Sequence, residues 1–123
     1  MNSFKSIFFC CFFILLFSNC ESDNRYSKSD LIGNWNCVIL QQGSEKEVVK
    51  DGEITFSFEE NSYDYKGFAY RESGEWHIDG PFLVTTMKGG KEKKAEINRI
   101  SGDTLVLDMV DNGVMMQFYL LKD

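Results

Sequence analysis

The chain has 123 residues, 43% of them hydrophobic and 15% aromatic, a size and composition that support one globular domain and not two. Thirteen Lys and Arg stand against 19 Asp and Glu, and the formal charge of −6 argues against a nucleic-acid partner and against an electrostatic hold on anionic lipid. Four cysteines and one histidine leave little material for a disulfide framework or a zinc site.

At the N-terminus MNSFKS carries one cation, Lys5, and leads into IFFCCFFILLF, an unbroken apolar run from Ile7 to Phe17. As a helix that run spans roughly 16 Å, against a hydrocarbon core of about 30 Å, so a secretory signal fits better than a short transmembrane anchor. The following FSNC resembles the lipobox of bacterial lipoproteins, with Cys20 in the position that takes up lipid and Asn19 where Gly, Ala or Ser is usual. The resemblance implies cleavage of residues 1–19 and membrane anchoring through Cys20, since two acyl chains hold a protein stably. Glu21-Ser22-Asp23 resembles the acidic export tags of some Gram-negative lipoproteins. The expected location is therefore the outer membrane of a Gram-negative bacterium, with the domain exposed at the surface. Cleavage removes one cation and no acid, leaving a charge of −7, and Cys10 and Cys11 depart with the signal. Cys37 is then without an intramolecular disulfide partner and reads as a small core residue.

Residues 20–30 (CESDNRYSKSD) are polar and aperiodic, a lipidated cysteine followed by a flexible tether, and the domain runs from 31 to 123. Turn signals recur along it, among them Gln42-Gly43-Ser44, Asp51-Gly52, Ser73-Gly74, Asp79-Gly80-Pro81, Gly89-Gly90, Ser101-Gly102-Asp103 and Asp111-Asn112-Gly113. Between them apolar residues alternate. NWNCVIL places Trp35, Cys37 and Ile39 on one face, and ITFSF does so with Ile54, Phe56 and Phe58. GEWHI offers Trp76 and Ile78; TLVLDM offers Leu105, Leu107 and Met109. SYDYKGFAY is two-sided, and Gly67 at its centre predicts a bulge or sharp bend. VMMQFYLL sets Val114, Met116, Phe118 and Leu120 against Met115, Tyr119 and Leu121. A period of two means strands with one buried face. Eight strands joined by short loops predict an all-β, antiparallel up-and-down barrel, which removes its own edges; a two-sheet β-sandwich is the competing architecture.

SDLIGNWNC (29–37), ESGEWHIDGPFLVTT (72–86), AEINRISGDTLVLDM (95–109) and the closing MQFYLLKD resemble, in this order, the lipocalin-like domains of small bacterial lipoproteins. The resemblance covers nearly all of 29–123. It implies a lipocalin-type barrel with a binding role and brings no catalytic residues.

The residues themselves offer little chemistry. His77 lies beside an inward Trp76 and so faces outward, away from any Ser or Cys nucleophile. Glu59-Glu60, Glu72 with Glu75, and Asp108 with Asp111 read as solvated acids rather than a facing catalytic pair. Asp111-Asn112-Gly113 is a hairpin turn before it is part of a calcium loop. Neither an enzyme, a metal nor a cofactor is expected. What converges is an apolar interior: Trp35, Ile54, Phe56, Phe58 and Trp76, continued by Leu83, Leu107, Met116 and Phe118. These residues serve either as core alone or as core plus a cavity for a small apolar ligand, with Tyr63, Tyr65 and Tyr70 as polar handles near one rim. The alternative is a filled barrel whose outside engages another envelope protein as accessory subunit or inhibitor. Met115, Tyr119 and Leu121 bear on that choice: on the outer face they favour a protein partner.

Overall fold

The computed structural model describes residues 26–123; the expected signal peptide, Cys20 and the tether up to residue 25 lie outside the described residues. A four-residue helix, α1 (Lys28–Leu31), precedes nine strands: β1 (Gly33–Gln42), β2 (Glu45–Val48), β3 (Ile54–Phe58), β4 (Ser62–Gly67), β5 (Tyr70–Asp79), β6 (Phe82–Met87), β7 (Glu92–Ser101), β8 (Thr104–Asp111) and β9 (Val114–Lys122). Sequential neighbours pair antiparallel from β3 to β9, β3 pairs with β1, and β9 returns to β1, so eight strands close a barrel. The barrel forms, and not the sandwich.

The ninth strand is an addition to the expected eight. β2 pairs only with the upper half of β1, from Ile39↔Val48 to Gln42↔Glu45. All four of its side chains are exposed, so it buries no face and leaves no alternation in the sequence. A second departure lies in β1. Its register with β9 shifts between Cys37 and Ile39, a bulge that turns Leu40, and not Ile39, into the core. A similar shift in β7 between Ile97 and Arg99 keeps Ile97 inside and re-aims Ile100 toward Leu105.

The turn expected at Ser73-Gly74 is absent, and the chain reverses earlier, at Phe68-Ala69, just after Gly67. Phe68 takes a left-handed φ of 53° there, unusual for a bulky residue. Gly74 instead sits inside β5, where a Cβ would come within 2.0 Å of the Thr86 carbonyl oxygen. Its bareness lets β5 press against β6 without a bend. The β8–β9 hairpin turns on Asn112-Gly113, with φ values of 52° and 81°, the left-handed pair that a two-residue hairpin requires.

One end of the barrel is sealed. Leu31, Trp35, Phe58 and Trp76 are fully or almost fully buried there, with the Phe58 and Trp76 rings 5.1 Å apart. Both indole N–H groups are used: Trp35 Nε1 donates to the Leu31 carbonyl at 2.8 Å and Trp76 Nε1 to the Glu59 carbonyl at 2.7 Å. Residues 26–30, assigned to the tether on polarity, are seated against this end. The Tyr26 hydroxyl donates to the Ile97 carbonyl at 3.4 Å, and Lys28 Nζ donates to the Glu60 carbonyl at 2.7 Å while lying 5.1 Å from the centre of the Trp76 ring. The other end carries the β1–β2, β4–β5, β6–β7 and β8–β9 turns and is open.

Candidate functional site

Inward positions on successive strands alternate with outward ones, so each strand delivers every second side chain to the barrel axis. Near the sealed end these form the buried core, with Trp35, Phe58 and Trp76 among them. Towards the open end a cavity of about 490 Å³ remains. Its apolar floor comes from Phe56 on β3, Leu83 on β6, Leu107 on β8, and Met116 and Phe118 on β9, with the Phe56 and Phe118 rings edge to face at 5.6 Å. Five of the nine interior residues named from the sequence therefore line the cavity. Trp35, Ile54, Phe58 and Trp76 lie outside its lining and belong to the buried core.

One wall is polar, built by β4, β5 and the start of β7. Tyr63, Tyr65, Tyr70, Glu72 and Lys93 come together there. Glu72 is buried, its side chain only 5% exposed, and the carboxylate has three donors. The Tyr63 hydroxyl donates to Oε2 at 2.5 Å; the Tyr70 hydroxyl and Lys93 Nζ donate to Oε1 at 3.0 and 2.9 Å. Burial by itself would raise the Glu72 pKa. The bonds from Tyr63, Lys93 and Tyr70 and the lysine charge outweigh burial and hold it below the usual carboxylate value. Glu72 is thus an anion inside the barrel at neutral pH. Tyr63 is pushed well above the ordinary phenol range by burial and by its bond to Glu72.

Sequence reasoning treated Glu72 as a surface acid. The signal was present: Glu72 shares the parity of Trp76 on one unbroken β5, and an inward Trp76 makes Glu72 inward too. The turn expected at Ser73-Gly74 hid this by cutting that strand between the two residues.

The cavity also opens sideways. The β7–β8 ladder ends at Glu96↔Asp108; above it, residues 92–95 pair only with β6 and residues 109–111 only with β9. Lys91 to Ala95 and Met109 to Asp111 border the cavity from the two sides of this split.

Elsewhere, His77 is exposed on the outer face. Among the described residues, no three His, Cys, Asp or Glu side chains gather as a metal-ligating group. Cys37 is buried, donates weakly to the Ile39 carbonyl, and has its thiol pKa pushed up to about 11, chiefly by burial. Met115 and Leu121 are exposed on the outer face of β9 with the half-buried Tyr119 between them; Met115 lies beside the exposed Val110 and Val114 of the β8–β9 hairpin, and Leu121 lies at the far end of the strand, opposite Thr104.

The family model of the lipocalin-like domain matches residues 31–107. No curated protein matches the chain. Among solved structures, a lipocalin-like protein from Bacteroides uniformis superposes with a TM-score of 0.59 at 16% identity, over 76% of this chain and 99% of its own. An uncharacterized protein from Bacteroides eggerthii does so with a TM-score of 0.59 at 11% identity, over 75% of this chain and 98% of its own. These identities carry the fold alone.

Proposed function

This chain belongs to the lipocalin-like domain family, and on that premise we propose that it binds a small, largely apolar ligand in the mouth of its barrel. The lipocalin-like fold suggests ligand binding or small-molecule carrying, and the family is in general one of non-enzymatic binding proteins. The observation that carries the reading here is the cavity of about 490 Å³, with its apolar floor and one built polar wall. Burying apolar ligand surface on Phe56, Leu107, Met116 and Phe118 contributes about 25 cal/mol per Å², and the wall orients what enters. Lipid on Cys20 holds the barrel at the outer membrane, on the face implied by the acidic residues after it. Mass spectrometry of the protein taken from the membrane fraction tests this part: a mature chain that begins at Cys20 and carries the mass of its acyl chains is expected, and an N-terminus elsewhere or a Cys20 without lipid refutes it.

Binding is tested on residues 21–123, made in a bacterial host and weighed by native mass spectrometry before and after solvent extraction. A stoichiometric small molecule lost on extraction, or taken up from a lipid and metabolite mixture, is the expected result. A mass that stays that of the bare chain throughout refutes it. The outward Met115 and Leu121 favour a second role, in which the β8–β9 face docks on an envelope protein.

A further inference from the structure

The polar wall of the cavity has a sign. Its one fully enclosed charged group is the Glu72 carboxylate, and both tyrosine hydroxyl protons nearest it point to that carboxylate. With those protons committed, the Tyr63 and Tyr70 oxygens and the spare lone pairs of Glu72 face an incoming group as acceptors. The wall thus offers acceptors to a donor, and the place of that donor on the carboxylate is held by Lys93 Nζ at 2.9 Å.

The rings beside it suit a cation as well. Tyr70 and Tyr65 lie 6.2 Å apart, Tyr65 and Phe56 4.8 Å apart, and Lys93 Nζ stands 5.9 Å from the centre of the Tyr70 ring. An ammonium next to a buried carboxylate and against aromatic faces is favoured by both. In this structure that ammonium belongs to Lys93. Its side chain is 35% exposed where that of Glu72 is 5%, and it stands at the start of β7, on the split side of the mouth. It can turn into water once another cation takes its place on the carboxylate. Lys94, its neighbour, already points away, over the Phe82 ring at 5.6 Å.

Resting on the cavity-binding reading above, we propose that the Glu72 wall is a subsite for an organic cation. The ligand is an amine with an apolar tail; its ammonium sits against Glu72 and the Tyr70 face in the place Lys93 Nζ occupies, and its tail lies on Phe56, Leu107 and Phe118. Lys93 then acts as a built-in competitor that keeps the carboxylate paired until the ligand displaces it.

The test uses three probes with one eight-carbon tail, octylamine, 1-octanol and octanoate, titrated calorimetrically at pH 7 into residues 21–123. Octylamine is expected to bind one to one and about tenfold more tightly than 1-octanol, the scale of one charge-assisted hydrogen bond, with octanoate weakest. Glu72→Gln is expected to bring octylamine to the level of 1-octanol. Lys93→Met, which removes the competitor, is expected to tighten octylamine by about threefold. A lysine that served only the fold would not do this. Octylamine no tighter than 1-octanol, or insensitive to Glu72→Gln, overturns the cation subsite and leaves the cavity reading standing. Lys93→Met weakening octylamine overturns the displacement. Failure of all three probes to bind overturns the cavity reading and this inference with it. Circular dichroism of each variant confirms that the barrel is intact.

Discussion

Tyr63→Phe removes a single oxygen from the interior, and its cost follows from where that oxygen points. The ring is 2% exposed, and its hydroxyl donates to Glu72 Oε2 at 2.5 Å. Phenylalanine keeps the packing and leaves one carboxylate oxygen without its protein donor. A hydrogen bond to a charged group contributes about 1.5–3 kcal/mol, so a loss of about 2 kcal/mol is expected at pH 7. For a domain of this size that lowers Tm by roughly 10 °C. The cost also depends on pH in a definite direction. Glu72 is held below its usual pKa, so the stability it contributes is present above the unfolded value of about 4.3 and is lost as pH falls through the lower folded value. Once Glu72 is protonated its bond from Tyr63 is a neutral one, and the cost of Tyr63→Phe falls to about 1 kcal/mol. Urea unfolding of wild type and variant from pH 7 down to pH 3 measures both figures. A loss under 0.5 kcal/mol at pH 7, or one that does not shrink on acidification, would refute the placement of an ionised Glu72 under Tyr63.

Gly74→Ala drives a methyl group to within 2.0 Å of the Thr86 carbonyl oxygen, which belongs to backbone and cannot swing aside; a loss of about 1–3 kcal/mol is expected in denaturant unfolding. Cys37 titrates in the alkaline range. Its folded pKa of about 11 lies above the unfolded value of about 8.5, so its contribution is full below pH 8.5 and is lost as pH rises to 11, by about 3 kcal/mol. Cys37→Ala should flatten that part of the stability profile, and the native thiol should resist a water-soluble thiol reagent at pH 8; rapid labelling of folded protein would contradict its burial.

Strands that bury one face were readable, because a half-buried strand must alternate. Ile54, Phe56 and Phe58 did so, as did Leu105, Leu107 and Met109, and each triplet sits where its parity puts it. The closed barrel followed from short loops and the absence of helical periods. β2 was not readable, since Glu45 to Val48 touch solvent throughout. Ile39 was misassigned by one residue because a bulge leaves no mark in a hydrophobic pattern. The apolar half of the cavity was legible as a set of inward residues, but alternation cannot say how far along the axis they fill the space, and Trp35, Ile54, Phe58 and Trp76 went to the core. Glu72 needed a correct β5, and Gly74 looked like punctuation when its role is to let two strands approach.

The docking of residues 26–31 under the sealed end sets how the molecule stands. From Cys20 to Tyr26 is six residue steps, a leash of about 20 Å when fully drawn out. A ten-residue strand such as β5 is about 33 Å long. On the proposed lipid anchor at Cys20, that leash is shorter than such a strand, and the plugged base would lie nearer the bilayer than the mouth. A ligand of the proposed kind would then enter from the side away from the anchoring leaflet, and not by sliding out of it.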